Sequence, residues 1–322
     1  MIKERISIGM PCLYNGEENV KVRTYRQLES FLTSPIIKDC DIVFIAQEWP
    51  IDSLDKFKKH FEHAKNLRII EKPKAKIAPD IRIMCLEESS TDLMYIADSD
   101  VIFRIGNSKF DSSLENGLIK SIEAFDKIEE LVTVCFIDQP VPGGFGIAFS
   151  NRTCSGHGKV YHVDRVLNTE VLDYYRLIRN IEDCALGAAI ANSGKLSARY
   201  RLKPLAIDVT GGSTFNRVSF GVPKARRMDE LYCMFGDLDS LKAEYAKLAE
   251  KYSDSGFKFY PKDETFCQGA WNLKSLARVA KVYEEIRLKH PNFTRFEITS
   301  MIINKFFETL KIPTIDEFEQ SM

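Results

Sequence analysis

Asp98-Ser99-Asp100 carries two carboxylates two positions apart, delivered by the apolar run Leu93 to Ala97. On an extended backbone, residues i and i+2 point to one side, so both acids face the same space. Two ionised acids held close repel each other, and a divalent cation relieves that repulsion. Oxygen donors of this kind suit Mg²⁺ or Mn²⁺. Such a cation bridges two phosphates and stabilises a departing diphosphate. The competing explanation is a solvated turn with two helix-capping acids. A second acidic pair, Glu182-Asp183, opens the segment Cys184-Ala185-Leu186-Gly187. Free backbone N–H groups favour a carboxylate at a helix start. Asp183 therefore reads equally as an N-cap and as a base that takes a proton from an attacking hydroxyl.

These acids need elements to hold them. The pattern predicts strands over 5–10, 41–46, 67–70 and 93–97, with helices over 17–32, 52–65 and 79–88 between them. Strand–helix alternation implies right-handed crossovers and an α/β fold: a mainly parallel, twisted sheet flanked by helices. Ligands of such sheets bind beyond the carboxyl ends of the strands, where Asp98 and Asp100 follow. Further on come a helix over 113–128, a strand over 131–137, a loop over 140–146 and a polar excursion over 150–169. Helices over 170–180 and 183–192 follow, then an irregular basic stretch over 204–236. Helices over 238–252 and 273–288 come next, and a last one opens at Thr294 with a capping box to Glu297. This division places a catalytic domain at 1–235 and a helical C-terminal extension at 236–322.

A formal charge of −1 argues against a general nucleic-acid binder. The local exception is 195–227, where Lys195, Arg199, Arg201, Lys203, Arg217, Lys224, Arg226 and Arg227 meet one acid, Asp208. Such a stretch is a solvated face, a cover over a diphosphate, or a contact to a polyanion such as DNA. The eight cysteines are scattered without a CxxC pair, as in buried reduced thiols of a cytoplasmic protein. No apolar stretch is long enough for a transmembrane segment. Gly143, Gly144 and Gly146 do not match a phosphate-loop pattern, and they read as close-approach glycines or a surface turn. His157 and His162 are acceptor-contact or surface residues.

Four segments together resemble the A-fold glycosyltransferases, above all the inverting group typified by family 2. Ile6 to Glu18, with Tyr14-Asn15-Gly16-Glu17, looks like the opening strand and the turn that borders a nucleotide base. Lys76 to Arg82 looks like the helix start that approaches the nucleoside or phosphates. Asp98-Ser99-Asp100 matches the DxD element, and Glu182-Asp183-Cys184-Ala185-Leu186-Gly187 matches Glu-Asp-x-x-Leu-Gly. The resemblance implies a nucleotide diphosphate sugar as donor and Mn²⁺ or Mg²⁺ as cofactor. It implies donor contacts from Pro11, Tyr14, Asn15, Glu17, Lys76, Asp80, Arg82, Asp98 and Ser99. Metal contacts would come from Asp98 and Asp100, with Asp208 as a further candidate. Asp183 would be the catalytic base and Glu182 would support the acceptor, a molecule with a free hydroxyl such as hydroxymethylated DNA. The Gln-x-x-Arg-Trp motif of processive polysaccharide synthases is absent. Two alternatives stand: a nucleotidyltransferase acting on a sugar phosphate, which favours a glycine-rich basic loop after the first strand, and a non-catalytic nucleotide-sugar or protein-binding module.

Overall fold

The computed structural model describes residues 2–14, 16–97, 108–137, 147–149, 158–202, 220–261 and 272–319. Nine strands form one mixed sheet: β1 Ile6–Leu13, β2 Ile42–Gln47, β3 Leu67–Lys72, β4 Leu93–Ala97, β5 Leu131–Ile137, β6 Ile147–Phe149, β7 Gly158–His162, β8 Leu196–Arg201 and β9 Lys258–Phe259. Their spatial order is β3-β2-β1-β4-β7-β5-β8-β6-β9. The described helices, in chain order, are α1 Ile2–Arg5, α2 Glu17–Asn19, α3 Arg26–Thr33, α4 Ile51–His60, α5 Asp80–Leu86, α6 Ser108–Lys127, α7 Val163–Leu167, α8 Glu170–Leu177 and α9 Glu182–Asn192. They continue with α10 Arg227–Tyr232, α11 Leu238–Lys251, α12 Leu273–Lys289, α13 Arg295–Thr309 and α14 Ile315–Glu319.

The first four strands are mutually parallel, as the alternation predicts. Three of them, β1, β2 and β4, are buried at every position, while the edge strand β3 is half-buried. That is the pattern of a sheet covered on two sides. The rest of the sheet departs from the expected parallel plan. β7 runs antiparallel between β4 and β5, and β6 runs antiparallel to β8.

Strand register sorts the side chains. Ile96 pairs with both Gly9 and Lys159, so these three share one face. On it α5 approaches Gly9 through Cys85, and α9 reaches Lys159 through Asp183. The opposite face carries Tyr95, Phe136 and Tyr200 in contact with one another, and α6 packs on it at Gly117. Phe44 lies on the same face and stacks against Phe57 of α4.

Several expectations are corrected. β1 runs through Pro11 to Leu13 instead of ending at residue 10. The helix over 17–32 exists, but a π-helical turn over Val20–Tyr25 interrupts it. The excursion over 150–169 contains β7 and α7, and the basic stretch over 204–236 contains α10. β8 alternates apolar and polar residues, Leu196-Ser197-Ala198-Arg199-Tyr200-Arg201, a strand pattern inside the basic stretch over 195–227. β9, from the segment expected to be helical, pairs with β6 in the main sheet.

Candidate active site at the carboxyl edge of the sheet

The strand order reverses between β1 and β4, since β2 and β3 lie on one side of β1 and β4 on the other. In open α/β sheets the crevice at such a reversal holds the ligand. Pro11 marks its mouth. The N–H groups of Ile8 and Tyr14 donate toward β2, to Asp41 and Gln47. By alternation the nitrogen of residue 11 faces β4, and the β1–β4 ladder stops at Gly9 and Ile96. A proline there loses no ladder bond. Beyond it, Tyr14 packs edge-on against Trp49 at 5.5 Å, and the Trp49 indole N–H donates to the Cys12 carbonyl at 3.4 Å. Trp49 follows the carboxyl end of β2 and was not singled out from sequence. Glu17 is exposed, and Asn15 lies outside the described residues.

The Lys76–Arg82 segment is tied down from both ends. Asp80 accepts the backbone N–H groups of Lys76 and Ile77 at 3.0 and 3.2 Å, so its carboxylate shapes its own loop. Lys76 itself is exposed. The Ala78 N–H donates to the Arg179 carbonyl at 2.9 Å, joining this loop to the approach to α9. Arg82 turns inward and its Nε meets Glu182 Oε1 at 2.7 Å, with side chains 8% and 15% exposed. A pair this dry acts nearly unscreened and demands its partner.

Asp183 is not an N-cap. The cap residue of α9 is Ile181, which makes no side-chain capping bond. Asp183 Oδ1 meets Lys159 Nζ at 2.6 Å instead. Its own side chain is 34% exposed while that of Lys159 is 1% exposed. Sequence reading passed over Lys159, because a lone lysine after a glycine-dotted stretch carries no spacing signal.

Register then links Asp183 to the strand that carries the DxD element. Lys159 pairs with Ile96, and Gly158 pairs with Ala97, the last residue of β4. A side chain at 158 would collide there, because its Cβ would come within 2.4 Å of the Tyr95 hydroxyl. Glycine leaves room for the Tyr95 ring to lie over β7 beside the end of β4. Asp98, Ser99 and Asp100 follow immediately but lie outside the described residues, as do Asp208, His157 and the three glycines at 143, 144 and 146. His162 falls at the other end of β7, opposite Leu93, away from this edge.

Around the acids the interior is polar and closed. Lys159, Arg82, Glu182 and Asp183 all act on the Tyr161 hydroxyl, which burial pushes well above the usual phenol range. Burial likewise pushes the Tyr175 hydroxyl well above that range, with Glu182, Arg82 and Asp183 acting on it. Neither hydroxyl has a hydrogen-bond partner among the described residues. Burial raises the Cys85 thiol to about 12, so it stays protonated beside the Arg82–Glu182 pair. Two cations and two acids make this quartet formally neutral. Among the described residues no group of three or more His, Cys, Asp or Glu side chains is placed to hold a metal ion. A cation here would have to be drawn by other acids. A cavity of about 450 Å³ lies among residues of 235–240 and 276–287 and shares no residue with the acids. No described helix is long and apolar enough to cross a membrane.

No family model matches this sequence, and no curated protein matches it. Several solved structures resemble its chain path distantly. Residues 1–349 of TarS from S. aureus in complex with UDP-GlcNAc align over 95% of this chain and 92% of that one, with 9% identity and a TM-score of 0.49. Another structure of TarS residues 1–349 from S. aureus aligns over 96% of this chain and 81% of that one, with 10% identity and a TM-score of 0.47. The mannosyltransferase PcManGT from Pyrobaculum calidifontis, in complex with GDP-Man and Mn²⁺, aligns over 93% and 84%, with 10% identity and a TM-score of 0.41.

Proposed function

We propose that this chain is a metal-dependent glycosyltransferase that moves a sugar from a nucleotide diphosphate sugar to an acceptor hydroxyl with inversion, on an A-type fold. The observation that carries the reading is Asp183, partly exposed and held by Lys159 beside the carboxyl end of β4, from which Asp98 and Asp100 follow. In this reading a base for the incoming hydroxyl and acids for a leaving diphosphate would be supplied side by side, since Lys159, the partner of Asp183, lies on the strand next to β4. A non-catalytic binding module has no need of that convergence. A nucleotidyltransferase is disfavoured by the residues after β1, where Tyr14 and Trp49 form an aromatic platform and no basic glycine loop follows.

In the proposed reaction Pro11, Tyr14 and Trp49 border the nucleotide base. Asp98 and Asp100 would hold Mn²⁺ or Mg²⁺ through hard carboxylate oxygens, since Glu182 and Asp183 are already neutralised by Arg82 and Lys159. When bound, that cation would neutralise charge on the departing diphosphate. Asp183 takes the acceptor proton as the acceptor oxygen attacks the anomeric carbon. The bond to the diphosphate breaks, its electron pair leaves with the diphosphate, and one displacement inverts the centre. Glu182, fixed by Arg82, lines the acceptor side.

The test compares the parent with Asp100→Ala and Asp183→Asn. UDP-glucose, UDP-GlcNAc and GDP-mannose are presented with Mn²⁺, and binding and slow hydrolysis are read. Asp100→Ala is expected to lose Mn²⁺-dependent donor binding. Asp183→Asn is expected to keep the donor and lose turnover by about 10²–10⁴-fold. Full turnover in either variant refutes its assigned role. The subsequent acceptor screen includes hydroxymethylated DNA, because the stretch 195–227 carries eight basic residues against one acid.

A further inference from the structure

Lys159 has no counterpart in the motifs that the sequence offers, yet its 1% exposed side chain ends on Asp183 Oδ1 at 2.6 Å. It stands in register between Ile96 of β4 and Cys135 of β5, an apolar row in which a hydrophobic residue would pack at lower desolvation cost. A buried ammonium in such a row is justified by the carboxylate that it holds. It also enters from the antiparallel strand that pairs with the end of β4 through Gly158. The ion pair therefore ties the Asp183 carboxylate to the strand beside β4, which leads to Asp98.

We infer that Lys159 is the positioning residue of the base, an inference that rests on the transfer reaction proposed above. Its ammonium pairs with Oδ1 and anchors the carboxylate, and the acceptor proton is taken by Asp183. In that step the acceptor O–H bond breaks, the proton goes to Asp183, the acceptor oxygen bonds the anomeric carbon, and the diphosphate leaves with the electron pair of the broken bond. Lys159 gains and loses no proton. It acts by holding Asp183 within the short range of distance and angle over which such transfer is efficient.

The experiment uses the full chain and Mn²⁺-dependent hydrolysis of UDP-glucose, UDP-GlcNAc and GDP-mannose, with Lys159→Met, Lys159→Gln and Lys159→Arg. Methionine and glutamine remove the charge, and arginine restores it. The first two are expected to lower kcat about 100-fold while the donor KM stays within about twofold. Arginine should recover at least a tenfold part of that loss. Thermal melting and donor-induced stabilisation separate misfolded variants from misaligned ones. In an Asp183→Asn background, Lys159→Gln should lower the residual rate no further. Unchanged kcat in a folded Lys159→Gln variant overturns the inference and leaves the transfer reading standing. So does a raised KM with kcat intact, or an undiminished effect in the Asp183→Asn background. A parent chain that turns over none of the donors removes both.

Discussion

Arg82 and Glu182 stand 100 positions apart in sequence and meet at 2.7 Å in a nearly dry interior. Removing one partner strands the other charge, which costs far more than the pair contributes. Arg82→Met is therefore expected to destabilise the fold by about 3–5 kcal/mol. Replacing both charges, as Arg82→Met with Glu182→Leu, should recover most of it, read by urea unfolding. Equal stabilities of single and double variants would show the pair to be solvated and weak. The residue types at 82, 182 and 183 were legible as site candidates. Their partners were not, because ion pairing at these positions is decided by which strands lie side by side.

The entry to α9 is the element that aims the acids. Ile181 sits at φ 50° and ψ 53°, a left-handed conformation that a β-branched residue adopts only under constraint. The constraint comes from α10. Buried Glu230 accepts the Asn180 N–H at 3.0 Å and the Arg179 N–H as well. Burial raises the Glu230 carboxyl above its ordinary value of 4.5, in spite of those bonds. The sign follows. A folded state that binds the proton more tightly than the unfolded chain gains stability as pH falls through the raised value, and loses it as pH rises. Glu230→Gln keeps an acceptor oxygen and cannot ionise. Relative to the parent it should become progressively more stable as pH rises from 4.5 toward neutrality, as measured by denaturant midpoints. A pH-independent difference would refute the burial account. Glu230→Ala, by contrast, leaves two N–H groups unpaired and should cost about 1–3 kcal/mol.

At the scale of the whole molecule, the C-terminal helices are built into the sheet's support. Arg295 at the start of α13 reaches the Asn192 carbonyl at 3.1 Å, where α9 ends, and also Asp237 and Glu244. The Tyr245 hydroxyl of α11 lies 2.8 Å from the Phe149 carbonyl of β6 and 3.0 Å from that of Tyr260. The Arg179 guanidinium lies over the Phe307 ring at 3.9 Å, beside the turn that Glu230 holds. One hydrophobic core runs from Ile6 to Phe318. We therefore expect residues 1–235 alone to be unable to fold, and the full chain to melt in one cooperative calorimetric transition. Two separable transitions, or a folded 1–235 fragment, would refute this.

By itself the sequence determined the alternating half of the fold and the burial of five of the six described cysteines, and it showed two acidic motifs. Those features are local: apolar runs, 3.6-residue periodicity and i to i+2 geometry repeat wherever such residues occur. What the tertiary structure alone decided is that β7 enters antiparallel between β4 and β5, bringing Lys159 to Asp183 and a glycine to the end of the DxD strand. Strand order and direction are chosen by burial summed over the whole sheet, a non-local quantity that no window of sequence contains.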